Sequence, residues 1–185
     1  MKKIICEKIV RIIKGKQKLE NELNVKLLVR GKEVEIEGNP EDEYIAEKVI
    51  DALDMGFPFS TAILIKDEDY LFEILNIKNY TKRKDLERVR ARIIGKKGRT
   101  LAAFSELTKC FFEIKNNRVG IIGDAEHIKN AQYAITFLLQ GSKQANVYAF
   151  LEKHQPKPIL DLGLKEVKKK KEYRLILNIV LLSDF

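Results

Sequence analysis

Arg90-Ala91-Arg92-Ile93-Ile94-Gly95-Lys96-Lys97-Gly98-Arg99-Thr100 joins a basic amphipathic stretch to a Gly-x-x-Gly turn with two lysines at its tip. Two glycines three apart let the backbone turn tightly and present amide donors with no β-carbon in the way, so a sugar-phosphate chain can approach the peptide itself. Lys96, Lys97 and Arg99 supply positive charge there, with Arg92 just upstream. Working outward, Asp85 to Ile94 places Leu86, Val89 and Ile93 at i, i+3 and i+7, a helical stripe that ends at the first glycine. On the other side, Thr100 to Leu107 carries Leu101, Phe104, Ser105 and Leu107 and reads as a second short helix.

Two runs of strand character follow, Cys110-Phe111-Phe112-Glu113-Ile114 and Arg118-Val119-Gly120-Ile121-Ile122, separated by the turn signal Lys115-Asn116-Asn117. After Gly123-Asp124, the stretch Ala125 to Gln140 sets Ile128, Ala131, Ile135 and Leu138 or Leu139 on one face, a long amphipathic helix that covers a sheet. Tyr70-Leu71-Phe72-Glu73-Ile74-Leu75 precedes all of this as a first strand. The order β-α-turn-α-β-β-α, with the loop between the two short helices, resembles the KH module, in which a Gly-x-x-Gly loop clamps four backbone nucleotides beside a groove for unstacked bases.

Charge is distributed unevenly along the chain. Residues 1–80 hold 13 Lys and Arg against 16 Asp and Glu, whereas residues 81–155 hold 15 against 7 and residues 156–185 hold 7 against 4. Nine cations face two anions between Lys82 and Arg99, too one-sided for a self-neutralising helix, and a polyanionic partner follows. With 185 residues and 45% apolar content the chain can bury one sizeable core or two small ones. Cys6 and Cys110 lie far apart among apolar neighbours and read as buried free thiols in a reducing compartment. His127 and His154 have no Cys or His at ligand spacing, so neither metal nor cofactor is expected. The start, Met1-Lys2-Lys3-Ile4-Ile5, runs into charge at Glu7 and Lys8 without a secretory apolar region, and a cytoplasmic protein is expected.

The first half looks like a worn copy of the second. Val34-Glu35-Ile36-Glu37-Gly38-Asn39-Pro40-Glu41 resembles Val119-Gly120-Ile121-Ile122-Gly123-Asp124-Ala125-Glu126 at an offset of 85 residues, and Ala46, Ile50 and Leu53 then fall on Ala131, Ile135 and Leu138. Arg11-Ile12-Ile13 matches Arg92-Ile93-Ile94, but Gly15-Lys16-Gln17-Lys18 lacks the second glycine, so the turn is lost and a shortened domain that packs, or binds protein, is expected. Between the copies, Asp54 to Leu64 is brief and apolar; Pro58 ends any helix there and Ser60 is placed to cap a new one. The expected fold is therefore α+β, two tandem KH-type domains of which the first is shortened and degenerate. It divides into a degenerate KH-like domain at 1–55, a packed linker at 56–70, a KH domain with an intact loop at 71–155 and a basic, apolar tail at 156–185.

Gly56 to Lys153 resembles the archaeal and eukaryotic KH-domain ribosome-assembly factors of the Krr and partner-of-Nob type. The likeness is carried by Gly56-Phe57 with Phe59-Ser60 and Ala62, by Asp67-Glu68-Asp69-Tyr70, and by the loop Arg92 to Thr100 with Leu107-Thr108. It continues in Val119-Gly120-Ile121-Ile122-Gly123-Asp124, Gly141-Ser142 and Val147-Tyr148-Ala149-Phe150-Leu151-Glu152. The resemblance implies a non-catalytic protein that binds the 3′ end region of small-subunit ribosomal RNA during maturation. It also implies two protein partners, a PIN-domain endonuclease and the alpha subunit of translation initiation factor two. The sequence departs from the family where Lys143-Gln144 stands in place of Pro-His, and in the shortness of its first domain.

The expected RNA site is Arg92, Ile94, Gly95, Lys96, Lys97, Gly98, Arg99 and Phe112. Gly95 and Gly98 admit phosphates, the four cations neutralise them, and Ile94 and Phe112 offer an apolar floor for bases beside the strand Cys110 to Ile114. Alternation points Phe111 and Phe112 to opposite faces of that strand and leaves open which is inside. The loop lacks the Gly-x-x-x-x-Gly-Lys-Ser/Thr spacing of a nucleotide-binding loop, and no acid–base pair can be assembled, so an enzyme is not expected. The acidic first half leaves a second reading open, a scaffold that links a nuclease or initiation factor to the ribosome with RNA binding secondary. In the tail, Pro156 and Pro158 end the last helix, Lys168 to Lys171 form a basic run, and the apolar stretch Tyr173 to Leu182 is too short for a membrane span of about 20 residues.

Overall fold

The computed structural model describes residues 2–154; the tail residues read above lie outside them. The first half runs β1 (Lys2–Ile5), α1 (Ile9–Leu23), β2 (Lys26–Arg30), β3 (Glu33–Glu37) and α2 (Pro40–Met55). The second runs β4 (Tyr70–Asn76), α4 (Ile77–Tyr80), α5 (Leu86–Ile94), α6 (Arg99–Thr108), β5 (Phe111–Lys115), β6 (Arg118–Asp124), α7 (Ile128–Gln140) and α8 (Gln144–Lys153), with α3 (Phe59–Ala62) between the halves. The described strands form two three-stranded antiparallel sheets, β1-β3-β2 and β4-β6-β5, so β3 and β6 each occupy the centre of an identical arrangement.

That symmetry is the physical content of the repeat. Ala46, Ile50 and Leu53 on α2 are buried, as are Ala131, Ile135 and Leu138 on α7, because each helix covers one face of its own sheet. The halves differ at the loop. α1 passes unbroken through Gly15-Lys16-Gln17-Lys18, burying Ile12 on one side of that stretch and Leu19 and Leu23 on the other, and stops only at Asn24, whose φ of 52° reverses the chain. The missing second glycine leaves one helix where the second half has two.

The linker packs between the halves. Gly56 closes α2 with φ 127°, and α3 begins directly after Pro58, which stands in the capping position expected for Ser60. A proline suits that place because its ring fixes φ at −65° in the extended backbone that precedes the helix. Phe57 is fully buried, meets Phe72 edge-to-face at 6.0 Å, and fills the space beside Gly120, where a β-carbon would sit 2.8 Å from the Phe57 ring. Phe72, Phe111 and Ile122, neighbours across β4, β6 and β5, belong with the core of the first half. Phe112, Val119 and Ile121 belong with the core under α5, α6 and α7. The central strand β6 is therefore covered on both faces, which explains its nearly unbroken apolar run where a half-exposed strand would alternate.

A partly buried ion network ties the same junction. Lys115 at the end of β5, 7% exposed, reaches Asp54 of α2 at 2.7 Å and Glu7 at 2.8 Å, while the other Asp54 oxygen accepts from the amides of Glu7 and Lys8. Arg11 of α1 donates to the carbonyls of Gly56 and Phe57. Cys6 and Cys110 are both buried and unpaired. Among the described residues no helix is long and apolar enough to cross a membrane, and no cluster of His, Cys, Asp or Glu is placed to hold a metal ion.

Candidate nucleic-acid interface

α5 forms because Leu86, Val89 and Ile93 share a face, and it is capped by Asp85, whose carboxylate accepts the amide of Arg88 at 3.0 Å. It ends where Gly95 turns the chain at φ 75°, ψ 177°, a region that side-chain-bearing residues scarcely enter. Lys97 (φ 54°) and Gly98 (φ 73°) also take positive φ before α6 resumes at Arg99. Three of four consecutive residues in this backbone class make a tight knuckle. It is held by the Gly98 amide on the Gly95 carbonyl and the Arg99 amide on the Lys96 carbonyl. Lys96, Lys97 and Arg99 are exposed, and none has a carboxylate partner among the described residues.

The two glycines have different tasks. At Gly95 a β-carbon would lie 2.1 Å from Thr100 Oγ1 and 2.9 Å from the Thr100 amide nitrogen, so the position is closed by the start of α6. At Gly98 nothing lies within 4 Å. That open side is where an extended chain can meet the backbone, with two lysines beside it.

Side chains behind the knuckle fix it to the body of the domain. Gln144, at the start of α8, donates to the carbonyl of Arg92 at 3.3 Å and to Thr100 Oγ1 at 3.0 Å, bracing both helices that flank the loop. This is the position where the resembled family carries histidine, and the amide makes its own contacts there. Arg92 donates to the carbonyls of Gly141 and Ser142 and so points toward the end of α7. Arg90 spans to Asn117 in the β5–β6 turn at 2.7 Å, linking α5 to the far side of the sheet edge. β5 is an edge strand, leaving backbone groups unpaired along the side away from β6.

Of the residues expected in the RNA site, Ile94 to Arg99 come together in one exposed segment, with Ile94 38% exposed at the end of α5. Arg92 is half-buried and engaged with two carbonyls. Phe112 is 9% exposed and packs in the core with Phe104 and Ile121, so it supports β5 from within and offers no open ring for a base. Sequence reading missed Gln144, Thr100 and the Arg90–Asn117 pair. Gln144 stood out as a departure from the family pattern and Thr100 lay within the loop segment that carries the likeness, but neither was given a place in the site.

The family model for the eukaryotic type KH-domain (KH-domain type I), in its form for the second domain of PNO1, matches residues 71–156. The second half has the KH-type fold. A KH domain-containing protein of Methanocaldococcus jannaschii is 29% identical over 154 residues, 77% of this chain and 66% of that protein. The RNA-binding protein pno-1 of Caenorhabditis elegans is 32% identical over 139 residues, 70% of this chain and 50% of that protein. The chain thus spans from half to just under two thirds of the length of these curated relatives. Among solved structures, Dim2p of Pyrococcus horikoshii superposes with a TM-score of 0.77 at 28% identity, covering 82% of this chain and 98% of that one. The protein in the solved a/eIF2alpha–aDim2p–rRNA complex of the same organism gives 0.77 at 28% identity, covering 83% and 93%. The match over both halves extends the likeness beyond the KH domain to the tandem arrangement.

Proposed function

We propose that this protein binds single-stranded RNA, at the 3′ end region of small-subunit ribosomal RNA, during ribosome assembly in the cytoplasm, and that it acts by binding without catalysis. The observation that carries the reading is the knuckle at 95–98: a backbone open on the Gly98 side, flanked by exposed, unneutralised Lys96, Lys97 and Arg99. Gly95 and Gly98 bring phosphates to the peptide, the three cations neutralise them, and the exposed Ile94 gives bases an apolar contact. Arg92 and Phe112 act from behind and beneath, the first holding the α7 end and the second holding β5. The relatives support the same reading: one is named as a pre-rRNA-processing protein, PNO1 of Saccharomyces cerevisiae, and the Pyrococcus horikoshii structure contains rRNA.

The proposed protein partners are a PIN-domain endonuclease and the alpha subunit of translation initiation factor two. The presence of a/eIF2alpha in the Pyrococcus horikoshii complex supports the second. The first half suits protein contacts better than RNA, because α1 runs straight through the place of the loop. The test is equilibrium binding of a labelled oligonucleotide matching the 3′ end of small-subunit rRNA against a scrambled control, for wild type and Lys96→Asp/Lys97→Asp. With about three phosphates neutralised, the logarithmic salt slope is expected near −2, at about −0.7 per phosphate. Preference for the matching RNA, lost in the double variant, is the expected result; equal weak binding by both proteins would favour the scaffold reading.

A further inference from the structure

α5 has two flanks, and RNA at the loop accounts for only one. At about 100° per residue, Arg90 and Ile94 project from one flank while Arg88 and Arg92, four apart, project from the other. The second flank meets the C-terminal end of α7 across a cleft of about 450 Å3, where Arg83, Arg88 and Arg92 stand over a floor of Val89, Leu138 and Leu139. A neighbouring hollow of about 400 Å3 shares Arg83 and Leu139 with it and extends past Lys82 and Tyr80.

Arginines beside a helix C-terminus have a structural use, and Arg92 has one. Its Nη2 donates to the Gly141 and Ser142 carbonyls, just past the last residue of α7, where the helix carries partial negative charge. That explains one edge of one guanidinium. Arg83 also bears on the turn, its Nη2 lying 3.6 Å from where a β-carbon on Gly141 would sit. Arg88 stands one helical turn before Arg92. Neither Arg83 nor Arg88 has a carboxylate partner among the described residues. Each guanidinium carries five donors in a planar fork suited to phosphate oxygens, and three such forks around one concavity repel each other until an anion enters. The apolar floor and the length of the furrow suit a sugar-phosphate chain better than a bare anion, which needs neither.

We propose that this cleft is a second phosphate-binding site, which takes about two further backbone phosphates of the RNA strand after it leaves the Gly-x-x-Gly loop. The proposal rests on the reading that the loop binds RNA. It makes α5 a post around which the strand passes, from the loop at its C-terminal end to the arginines along one flank.

Fluorescence anisotropy on the full chain tests it, comparing wild type with Arg83→Gln/Arg88→Gln and with Lys96→Asp/Lys97→Asp. Two single-stranded RNAs are needed, one of about six nucleotides, enough for a four-nucleotide clamp, and one of about twenty. Loss of two phosphate contacts is expected to lower affinity for the longer RNA about 25-fold at 0.1 M salt and to flatten its salt slope by about 1.4. The short RNA should bind the glutamine variant as it binds wild type, which also reports that the fold survives. Equal losses on both RNAs, or no loss on the longer one, would overturn the second site. Displacement of the longer RNA from wild type by low-millimolar inorganic phosphate at fixed ionic strength would also overturn it, making the cleft a small-anion pocket. Failure of the loop reading is separately visible, since then Lys96→Asp/Lys97→Asp would leave the short RNA bound as in wild type.

Discussion

Gly95→Ala and Gly98→Ala are the same substitution three residues apart in the sequence, yet the structure assigns them different consequences. Alanine at 95 must hold φ 75°, ψ 177°, which costs about 1–3 kcal/mol. Its β-carbon would also lie 2.9 Å from the Thr100 amide nitrogen, a backbone atom that cannot rotate away, and Thr100 is itself held by Gln144. Forcing the start of α6 to shift adds an overpacking cost of about 1–3 kcal/mol, for a combined loss of about 2–6 kcal/mol. Alanine at 98 meets nothing within 4 Å at φ 73°, ψ 3°. Its left-handed penalty of about 1–2 kcal/mol is partly offset by about 0.4–1 kcal/mol from a stiffer unfolded chain, leaving about 1 kcal/mol. At about 2–4 °C per kcal/mol, thermal melts should show Gly95→Ala lower by roughly 10 °C and Gly98→Ala by roughly 3 °C. RNA binding should divide differently. The new methyl at 98 lies on the open side, and losing one backbone–phosphate contact of about 1.4 kcal/mol weakens binding about tenfold in a protein that melts almost normally. Equal melting losses, or tight RNA binding by Gly98→Ala, would refute this division of labour.

The junction between the halves gives three further expectations. Lys115→Met should cost about 3 kcal/mol, because it leaves the Asp54 carboxylate buried without its cation. Burial pushes the Asp54 carboxyl up, but its bonds from Lys115 and from the Lys8 and Glu7 amides outweigh this and hold it below its ordinary value. Burial likewise pulls the Lys115 ammonium down, and its bonds to Asp54 and Glu7 outweigh that and hold it above. The pair's stabilisation is therefore complete from about pH 5 to 9; it is lost in acid below about pH 4, as Asp54 takes a proton, and in base beyond about pH 10.4, as Lys115 loses one. Melts of wild type and Lys115→Met at acid and neutral pH check this, and an identical acid loss in both would contradict it. Gly120→Ala should destabilise by about 1–3 kcal/mol through contact with the buried Phe57 ring, measured by urea unfolding; a neutral result would mean the linker is not packed on the sheet. Burial pushes the thiols of Cys6 and Cys110 up to about 11 and about 12, so neither should react with a thiol reagent at neutral pH until the protein unfolds, and rapid labelling of the native chain would contradict their placement.

Local signals were enough for the parts of the fold that local physics decides. The α5–loop–α6 unit follows from an apolar stripe ended by glycine, and the shared architecture follows from equivalent apolar positions on α2 and α7. What sequence could not decide depended on distant partners. Alternation separated Phe111 from Phe112, but both are covered because the sheet is buried on two sides, one by residues some 50 positions upstream. Arg92 reads as a phosphate ligand from its neighbours in the chain, yet its guanidinium is directed by Gly141 and Ser142. α7 starts at Ile128, later than the apolar pattern implies, because Asp124 accepts the His127 amide and holds a turn there first. Gln144 matters through carbonyl and hydroxyl groups of two other helices, which no local pattern announces.

The intact loop of the second half, and not its lost counterpart in the first, is proposed to hold RNA. The most direct measurement is a backbone amide spectrum of the full chain titrated with a short single-stranded RNA matching the 3′ end of small-subunit rRNA. The amides of Gly95 to Arg99 and the methyl groups of Ile94 should shift in a saturable way, while those of Gly15 to Lys18 within α1 stay in place. Saturable shifts along Gly15 to Lys18 with a silent 95–99 loop would contradict the account.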